Sequence, residues 1–135
     1  MTKYIGVKMV TAWPEEKHGK PGYAVKYEDD YISWSPKDVF EAAYLRLANA
    51  TKISPEDVDR MVATVEGTQL DPKTTLVKQT TVTGYVNYDT SSCVDPANYD
   101  QSLGVQLASK KTKDKIWEAL GFVLQWAKYG LKQTD

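Results

Sequence analysis

The N-terminal part of the chain alternates between apolar and polar positions in the way that β-strands do. Residues 22–28 alternate, Asp29 and Asp30 interrupt the pattern, and residues 31–34 resume it, so this stretch predicts a β-hairpin. A further run of β-forming residues covers positions 4–10. The polar stretch 14–22 is rich in glycine and proline and predicts an exposed loop.

Two Ser-Pro pairs carry the signals of helix starts. Ser35 can act as an N-cap and Pro36 has the backbone angle of a first helical residue, and the apolar residues that follow recur at helical spacing. This pattern predicts a helix over 36–49. Ser54 and Pro55 repeat the signal ahead of two acidic residues and predict a shorter helix over 55–65.

The second half continues with β-branched residues and ends in a long helical region. Positions 74–83 and 85–92 predict two strands joined at Gly84. Asp95 and Pro96 then open a helical region without proline up to Lys132, as one helix or as two with a bend near Gly104 or the run 109–112. A single helix would reach about 50 Å, so we expect a partner chain to bury part of it.

These elements predict an α+β fold with two small hairpin-plus-helix lobes and a long C-terminal helix or helical hairpin. We place an N-terminal β-hairpin and helix lobe at residues 1–50. A β-hairpin and long-helix domain follows at residues 51–135.

The composition narrows the class of protein. The chain has 135 residues, 41% of them hydrophobic, with a net charge of −1, which excludes disorder as the main state. No apolar run approaches the length of a membrane span, and no basic excess favours duplex nucleic acid. One cysteine is typical of a reducing compartment. Four Trp and nine Tyr against two Phe suit a binding surface.

Residues 92–100 read S-C-V-D-P-A-N-Y-D, and Gly104 follows four residues later. Together with Thr83-Gly84-Tyr85 and the later string K-I-W-E at 115–118, this segment resembles a family of small tailed-phage proteins typified by products of the phages N-four and Sf-six. The resemblance covers residues 52–126. The chain departs from the family at Val105 and Gln106, where a basic residue usually follows the glycine.

A second phage module resembles the stretch from Gly22 to Tyr44, which ends in YISWSPKDVFEAAY. Both resemblances imply a phage protein that acts in the host cytoplasm, and neither implies a reaction. Phage proteins of this size include counter-defence sponges, which oligomerise and sequester nucleotide-type immune signals. We extend this idea to the present chain as an analogy of class.

The sequence offers no catalytic constellation. His18 is the single histidine and has no cysteine or acidic pair at ligand spacing, and Cys93 is better interpreted as a structural thiol than as a nucleophile. No nucleotide-binding glycine loop or hydrolase motif occurs. We therefore expect no catalytic residue, no metal and no cofactor.

Candidate binding residues fall into two groups. Tyr31, Trp34 and Lys37 surround the start of the first predicted helix, where rings can stack on a base and free N–H groups can meet an anion. Trp34 can equally be core beneath that helix. Arg46 suits a bidentate phosphate contact.

The second group lies in the second half of the chain. Tyr85 and Tyr88 lie on one predicted strand, and Asn98 lies near the start of the next predicted helical region. This set suits a polar ligand of nucleotide size or an ordinary strand surface. Lys113 belongs to a basic run that is either a solvated face or a phosphate contact.

Taken together, the sequence predicts a non-enzymatic phage protein, a homo-oligomer, that sequesters a small anionic nucleotide-like signal of host defence. It predicts no membrane partner and no duplex nucleic acid. The alternative is a phage protein that inhibits or scaffolds a host protein by direct contact.

Overall fold

A computed structural model describes residues 1–132 of the chain. It has two three-stranded antiparallel sheets and three α-helices and is therefore an α+β fold, as the sequence predicts. In chain order, the elements are β1 (Thr11–Pro14), β2 (Gly22–Lys26), β3 (Ile32–Pro36), α1 (Lys37–Ala43), α2 (Pro55–Met61), β4 (Val62–Asp71), β5 (Thr74–Thr81), β6 (Val86–Ser92), a 3-10 turn (Pro96–Asn98) and α3 (Gln101–Tyr129).

The chain divides into two compact units. The first contains residues 1–46 together with the described part of 122–135, and the second contains residues 47–121. Each unit has its own sheet, with strand order β1-β2-β3 in the first and β4-β5-β6 in the second.

The first unit is built on the predicted hairpin of β2 and β3. Ala24 and Val25 of the central strand are buried and form its small core. Residues 4–10, predicted as β-forming, lie outside the strands, and β1 begins only at Thr11 because that is where pairing with Lys26 of β2 begins.

Helix α1 is shorter than the sequence predicts. Pro36 pairs with Gly22 and ends β3, so the expected cap residue Ser35 is held in a strand and its hydroxyl donates to the Pro36 carbonyl instead. At the other end Tyr44 is extended, with its ring stacked 4.8 Å from that of Phe40. Strand pairing at Pro36 and the extended backbone of Tyr44 therefore confine the predicted helix 36–49 to Lys37–Ala43.

Helix α2 begins at Pro55 as predicted. The carboxylate of Asp57 is fully buried and accepts hydrogen bonds from the N–H groups of Ser54 at 2.8 Å and Ala48 at 2.9 Å. Arg60 lies 3.3 Å from the same carboxylate. The Asp57 carboxylate thus satisfies the N–H of the N-cap residue Ser54 and joins the helix start to the segment that precedes it.

The predicted helix 55–65 is wrong beyond Met61. Residues 62–71 form β4, which pairs with β5 in an antiparallel ladder. Val58, Met61, Val62 and Val65 fit helical spacing, but the β-branched residues that follow also suit a strand. Pairing with β5, which no local pattern reveals, decides between the two.

The core of the second unit lies between β5 and α3. The residues of β5 are buried at alternate positions, from Thr75 to Thr81. On α3 a buried residue recurs every four positions, and within this unit the set is Gly104, Ala108, Thr112, Ile116 and Leu120.

Gly104 lies at the closest approach between α3 and the sheet. A Cβ atom at this position would lie 2.1 Å from Oγ1 of Thr75, so the helix approaches β5 where no side chain stands between them. Gly67 of β4, which also lacks a side chain, leaves room for the side chain of Val105 of α3. Helix α3 is continuous over Gln101–Tyr129, about 43 Å. The bend considered at Gly104 is therefore absent.

The hydrogen bonds of the β5–β6 ladder fix which backbone groups face outward. The N–H of Thr81 donates to the Tyr85 carbonyl at one end, and the N–H of Cys93 donates to the Lys73 carbonyl at the other. Because hydrogen-bonded pairs alternate along an antiparallel ladder, the even-numbered residues of β6 direct their backbone groups to the outer edge.

Two lysines of α3 reach this outer edge of β6. Lys111 donates to the carbonyl of Thr90 at 2.8 Å, and Lys115 donates to the carbonyl of Tyr88. Lys115 also lies 3.3 Å from the carboxylate of Asp89. The ammonium groups thus occupy carbonyls that would otherwise be open to another strand.

We predict that Gly104→Ala and Gly121→Ala change stability in opposite directions. The new methyl group at 104 meets Thr75, and overpacking of this kind costs about 1–3 kcal/mol in the free energy of unfolding. Gly121 lies in the same helix with nothing within 4 Å of the new Cβ, so its replacement gains about 0.5–1 kcal/mol. Urea denaturation of both variants measures this, and an equal effect of the two would contradict the close packing at 104.

The ion pair at β6 predicts a pH dependence. The N–H of Thr90, and secondarily Lys115, lower the pKa of Asp89. The folded state thus favours the carboxylate, which stabilises the protein above the unfolded value of about 3.9 and stops doing so as pH falls through the lower folded value. Asp89→Asn should cost less than about 1 kcal/mol at neutral pH, and the difference should vanish as pH falls through the lowered folded-state pKa of Asp89.

Denaturation curves at a series of pH values measure this dependence. Asp114→Asn is the control, since that exposed aspartate of α3 forms no ion pair with a described residue. A stability difference for Asp89→Asn that is constant with pH would contradict the assignment.

Candidate functional site

The turn between β2 and β3 brings two tyrosine rings together. The N–H of Tyr27 donates to the Tyr31 carbonyl at 2.9 Å, and the N–H of Tyr31 donates to the carboxylate of Asp29 at 3.0 Å. Asp30 takes a positive φ of 67°, which aspartate tolerates better than most residues. The rings of Tyr27 and Tyr31 lie 6.1 Å apart between centroids, with their planes at 24°.

These rings line an open cleft of about 500 Å³ in the first unit. Lys8, from the segment before β1, places its ammonium 4.8 Å from the centroid of the Tyr27 ring. Tyr31 is 64% exposed, so its ring is accessible from the cleft. The lining residues are Lys8, Met9, Tyr27, Glu28, Asp29 and Tyr31. We call this the Tyr27–Tyr31 cleft.

The chemistry of the cleft is aromatic with mixed charge. Tyr27 and Tyr31 offer faces for stacking, and the ammonium of Lys8 forms no ion pair with a described carboxylate. Glu28 and Asp29 add two negative groups at the rim. The arrangement can hold a flat ring by stacking and can contact one negative group through Lys8.

Trp34, a candidate for stacking, is held by the sheet. Its indole N–H donates to the Glu15 carbonyl at 2.8 Å, and its ring lies against Gly22, where a Cβ would be 2.4 Å away. The half-buried indole thus packs within the first unit, in agreement with the alternative considered for it. Its role in ligand binding stays a prediction.

Lys37 lies at the start of α1, and Arg46 lies beyond its end. The N–H of Lys37 donates to the Pro21 carbonyl, and α1 has only seven residues, so the helix start offers little to an anion. Arg46 is exposed beyond the end of α1. Close to the same helix, the hydroxyl of Tyr23 donates to Glu41 at 2.7 Å, and this hydrogen bond raises the pKa of Tyr23.

Asn98 lines a groove of about 170 Å³ in the second unit. The carboxylate of Asp95 caps the 3-10 turn by accepting a hydrogen bond from the N–H of Ala97. The hydroxyls of Tyr99 and Thr75 are hydrogen-bonded to each other at 2.9 Å. The groove lies between the end of β6 and the start of α3. Its lining residues are Lys73, Thr75, Ser91, Ser92, Cys93, Asn98, Tyr99, Asp100, Leu103, Gly104 and Leu107.

Tyr85 and Tyr88 do not join Asn98 in this groove. Tyr85 is 70% exposed at the turn that precedes β6, about 23 Å along the strand from its other end. Tyr88 pairs with Lys78, on the face of the sheet opposite the α3 side. The second group of candidates therefore does not form one site.

Lys113 forms an ion pair with Asp59 of α2, with its Nζ 3.3 Å from the carboxylate. Both side chains remain about half exposed or more, so the pair contributes little to stability. A phosphate contact by Lys113 would have to compete with this partner.

His18 and Cys93, the candidates for reaction chemistry, belong to no metal-binding cluster of the described residues. Within residues 1–132, no group of three or more His, Cys, Asp or Glu side chains could hold a metal ion. His18 lies in the β1–β2 loop with a positive φ of 54°, and the thiol of Cys93 donates to the Asp95 carbonyl at 3.2 Å. No described helix is long and apolar enough to cross a bilayer.

Sequence reasoning found Tyr31 and missed its neighbours Tyr27 and Lys8. The signal for Tyr27 was present, because the hairpin predicted around Asp29 and Asp30 sets residues 27 and 31 opposite each other. Lys8 had no local signal, since its place depends on the path of the chain before β1. Of the predicted residues, only Tyr31 lines the Tyr27–Tyr31 cleft and only Asn98 lines the groove.

Comparison with known proteins places the chain. Neither the curated proteins nor the solved structures gave a significant match. A family model described as "Phage protein (N4 Gp49/phage Sf6 gene 66) family" matches residues 38–127, which include the groove and both hairpin strands β5 and β6. The family predicted from residues 52–126 is thereby confirmed, with a match that begins earlier, in α1. The chain is a phage protein that belongs to the N4 Gp49/Sf6 gene 66 family.

Proposed function

We propose that this phage protein binds a small nucleotide-type signal of host defence in the Tyr27–Tyr31 cleft and sequesters it without chemical change. Such a protein would act in the host cytoplasm, where the signal is made. The single observation that carries the proposal is a nucleotide-sized cleft in which two tyrosine rings converge with Lys8, whose ammonium forms no ion pair among residues 1–132.

The size and lining of the cleft support this class of ligand. A volume of about 500 Å³ lies within the range of small-molecule sites. Tyrosine rings stack on any nucleobase, because every base has a π-face. The membership in a family of phage proteins agrees with a role directed at the host.

The charges of the cleft restrict how the ligand lies. Lys8 can contact one phosphate, whereas Glu28 and Asp29 repel a second negative group at the rim. A ligand with few phosphates and several hydroxyl groups therefore suits the cleft better than a nucleoside triphosphate. The carboxylates can accept hydrogen bonds from ribose hydroxyls or from the amino group of a base.

Calorimetric titration with ADP-ribose and with a cyclic dinucleotide tests the proposal. Tyr31→Ala should weaken binding of the probe that binds by about 10- to 100-fold, because stacking contributes about 1–3 kcal/mol per base. Tyr31→Phe keeps the ring and should bind nearly as well as the wild type. Heating the complex should release the probe intact, as judged by mass spectrometry.

Tyr85→Ala is the matched control, since Tyr85 is an equally exposed tyrosine at a hairpin turn of the second unit. Equal weakening by Tyr31→Ala and Tyr85→Ala would place the ligand elsewhere. Failure of both probes to bind, or release of a cleaved product, would contradict the proposal.

A second candidate, direct contact with a host protein, has its own supporting observation. In the segment before β1, Tyr4 is 91% exposed and Ile5 is 80% exposed, and no described residue covers them. Exposed apolar residues of this kind are typical of protein-binding surfaces.

We expect the double substitution Tyr4→Ser with Ile5→Ser to weaken binding of an identified host partner if this second function holds. Pull-down from infected cells identifies the partner, and titration with the purified partner measures the loss, expected to exceed tenfold. Leu131→Ser, at another exposed apolar residue, is the control. Unchanged affinity of the double variant would exclude this surface.

A further inference from the structure

The two edges of the second sheet differ in how they are protected. At β6, the outward carbonyls of Tyr88 and Thr90 accept hydrogen bonds from Lys115 and Lys111. Strand β4 forms the other edge and pairs only with β5 among the described residues. It is ten residues long and contains no proline and no lysine, the residues that commonly block an edge. Between a register shift near each of its ends, its ladder with β5 is regular from Thr64 to Gln69.

The ladder of β4 and β5 shows which groups of this edge are open. The odd-numbered residues of β5 bond to β6, so its even-numbered residues bond to β4, as the bond from the Val82 N–H to the Met61 carbonyl also indicates. Thr64, Glu66 and Thr68 are therefore the bonded residues of β4. The outward-directed residues of β4 are therefore Val65, Gly67 and Gln69. Each of them directs one N–H and one C=O to the outside.

We infer that β4 pairs with β4 of a second copy of this chain, in an antiparallel ladder centred on Gly67. In this register, Val65 bonds to Gln69 of the second copy, Gly67 to Gly67, and Gln69 to Val65. All six outward groups of each strand are then satisfied. The two sheets become one sheet of six strands.

The side chains of β4 also fit this register. The charged Glu66 stands opposite Thr68 of the second copy, so the two Glu66 carboxylates do not face each other. A centre one residue earlier would pair Glu66 with itself and would leave Gln69 without a bonded partner. The occupant is a second copy because its own β4 supplies a matching group for each of the six outward groups and keeps the two Glu66 carboxylates apart.

This inference does not depend on the proposed function, because it uses no residue of the Tyr27–Tyr31 cleft. Edge-to-edge pairing through residues 65–69 of one strand is a small contact, so the dimer should dissociate on dilution. Sedimentation velocity over a concentration series measures the dissociation constant directly.

Gln69→Pro is the first test variant, since it removes an outward N–H that β5 does not use, and proline is tolerated at such edge positions. We expect it to abolish the dimer. Val86→Pro is the matched control, because it removes an outward N–H from the opposite edge, and it should leave the dimer intact. Circular dichroism shows whether each variant is folded.

A pair of charge substitutions tests the same register without altering the backbone. Thr68→Glu sets two carboxylate pairs opposite each other across the dimer and should raise the dissociation constant about tenfold. Thr68→Lys sets an ammonium opposite each Glu66 and should lower it or leave it unchanged. A single-chain mass at every concentration would overturn the inference. So would a dimer that neither Gln69→Pro nor Thr68→Glu weakens.

Discussion

The second unit depends on the close approach of α3 to β5 at Gly104. With no side chain at that position, the helix backbone can rest near Thr75, and the small residues Ala108 and Thr112 continue the contact one and two turns later. The larger Ile116 and Leu120 then fill the wider space further along. The groove lined by Asn98 exists because the helix begins so close to the end of the sheet.

The core made by this approach is unusually polar. Thr75, Gln79 and Thr112 are all fully buried, beside Val77 and Ala108. The Gln79 side chain joins the sheet to α3 by donating to the Thr112 carbonyl at 3.1 Å, and the Thr75 hydroxyl is hydrogen-bonded to that of Tyr99, just before α3. Such bonds require a defined register of helix on strand, whereas an apolar contact would tolerate sliding. Specific alignment is thus built into the core itself.

Much of this fold follows from local patterns, and the rest does not. The hairpins of β2–β3 and β5–β6 were predictable because alternation and turn residues are local signals, and the start of α2 because Ser54 and Pro55 cap it. Strand β4 was missed because its helical spacing is overruled by pairing with β5. Tyr31 could be predicted as a site residue from the turn, but Lys8 reaches the cleft through a segment with no regular pattern. What depends on contacts distant in sequence could not be predicted.

The lysines at the edge of β6 have a consequence for the synthesis of the chain. All strands of the second sheet precede Lys111 and Lys115, so a growing chain can complete the sheet before the ammonium groups that occupy its β6 edge have been added. During that interval both edges are templates for pairing with neighbouring nascent chains. Pairing between nascent chains is therefore a hazard of this fold during translation, and at the β6 edge it ends when the first half of α3 docks on the sheet.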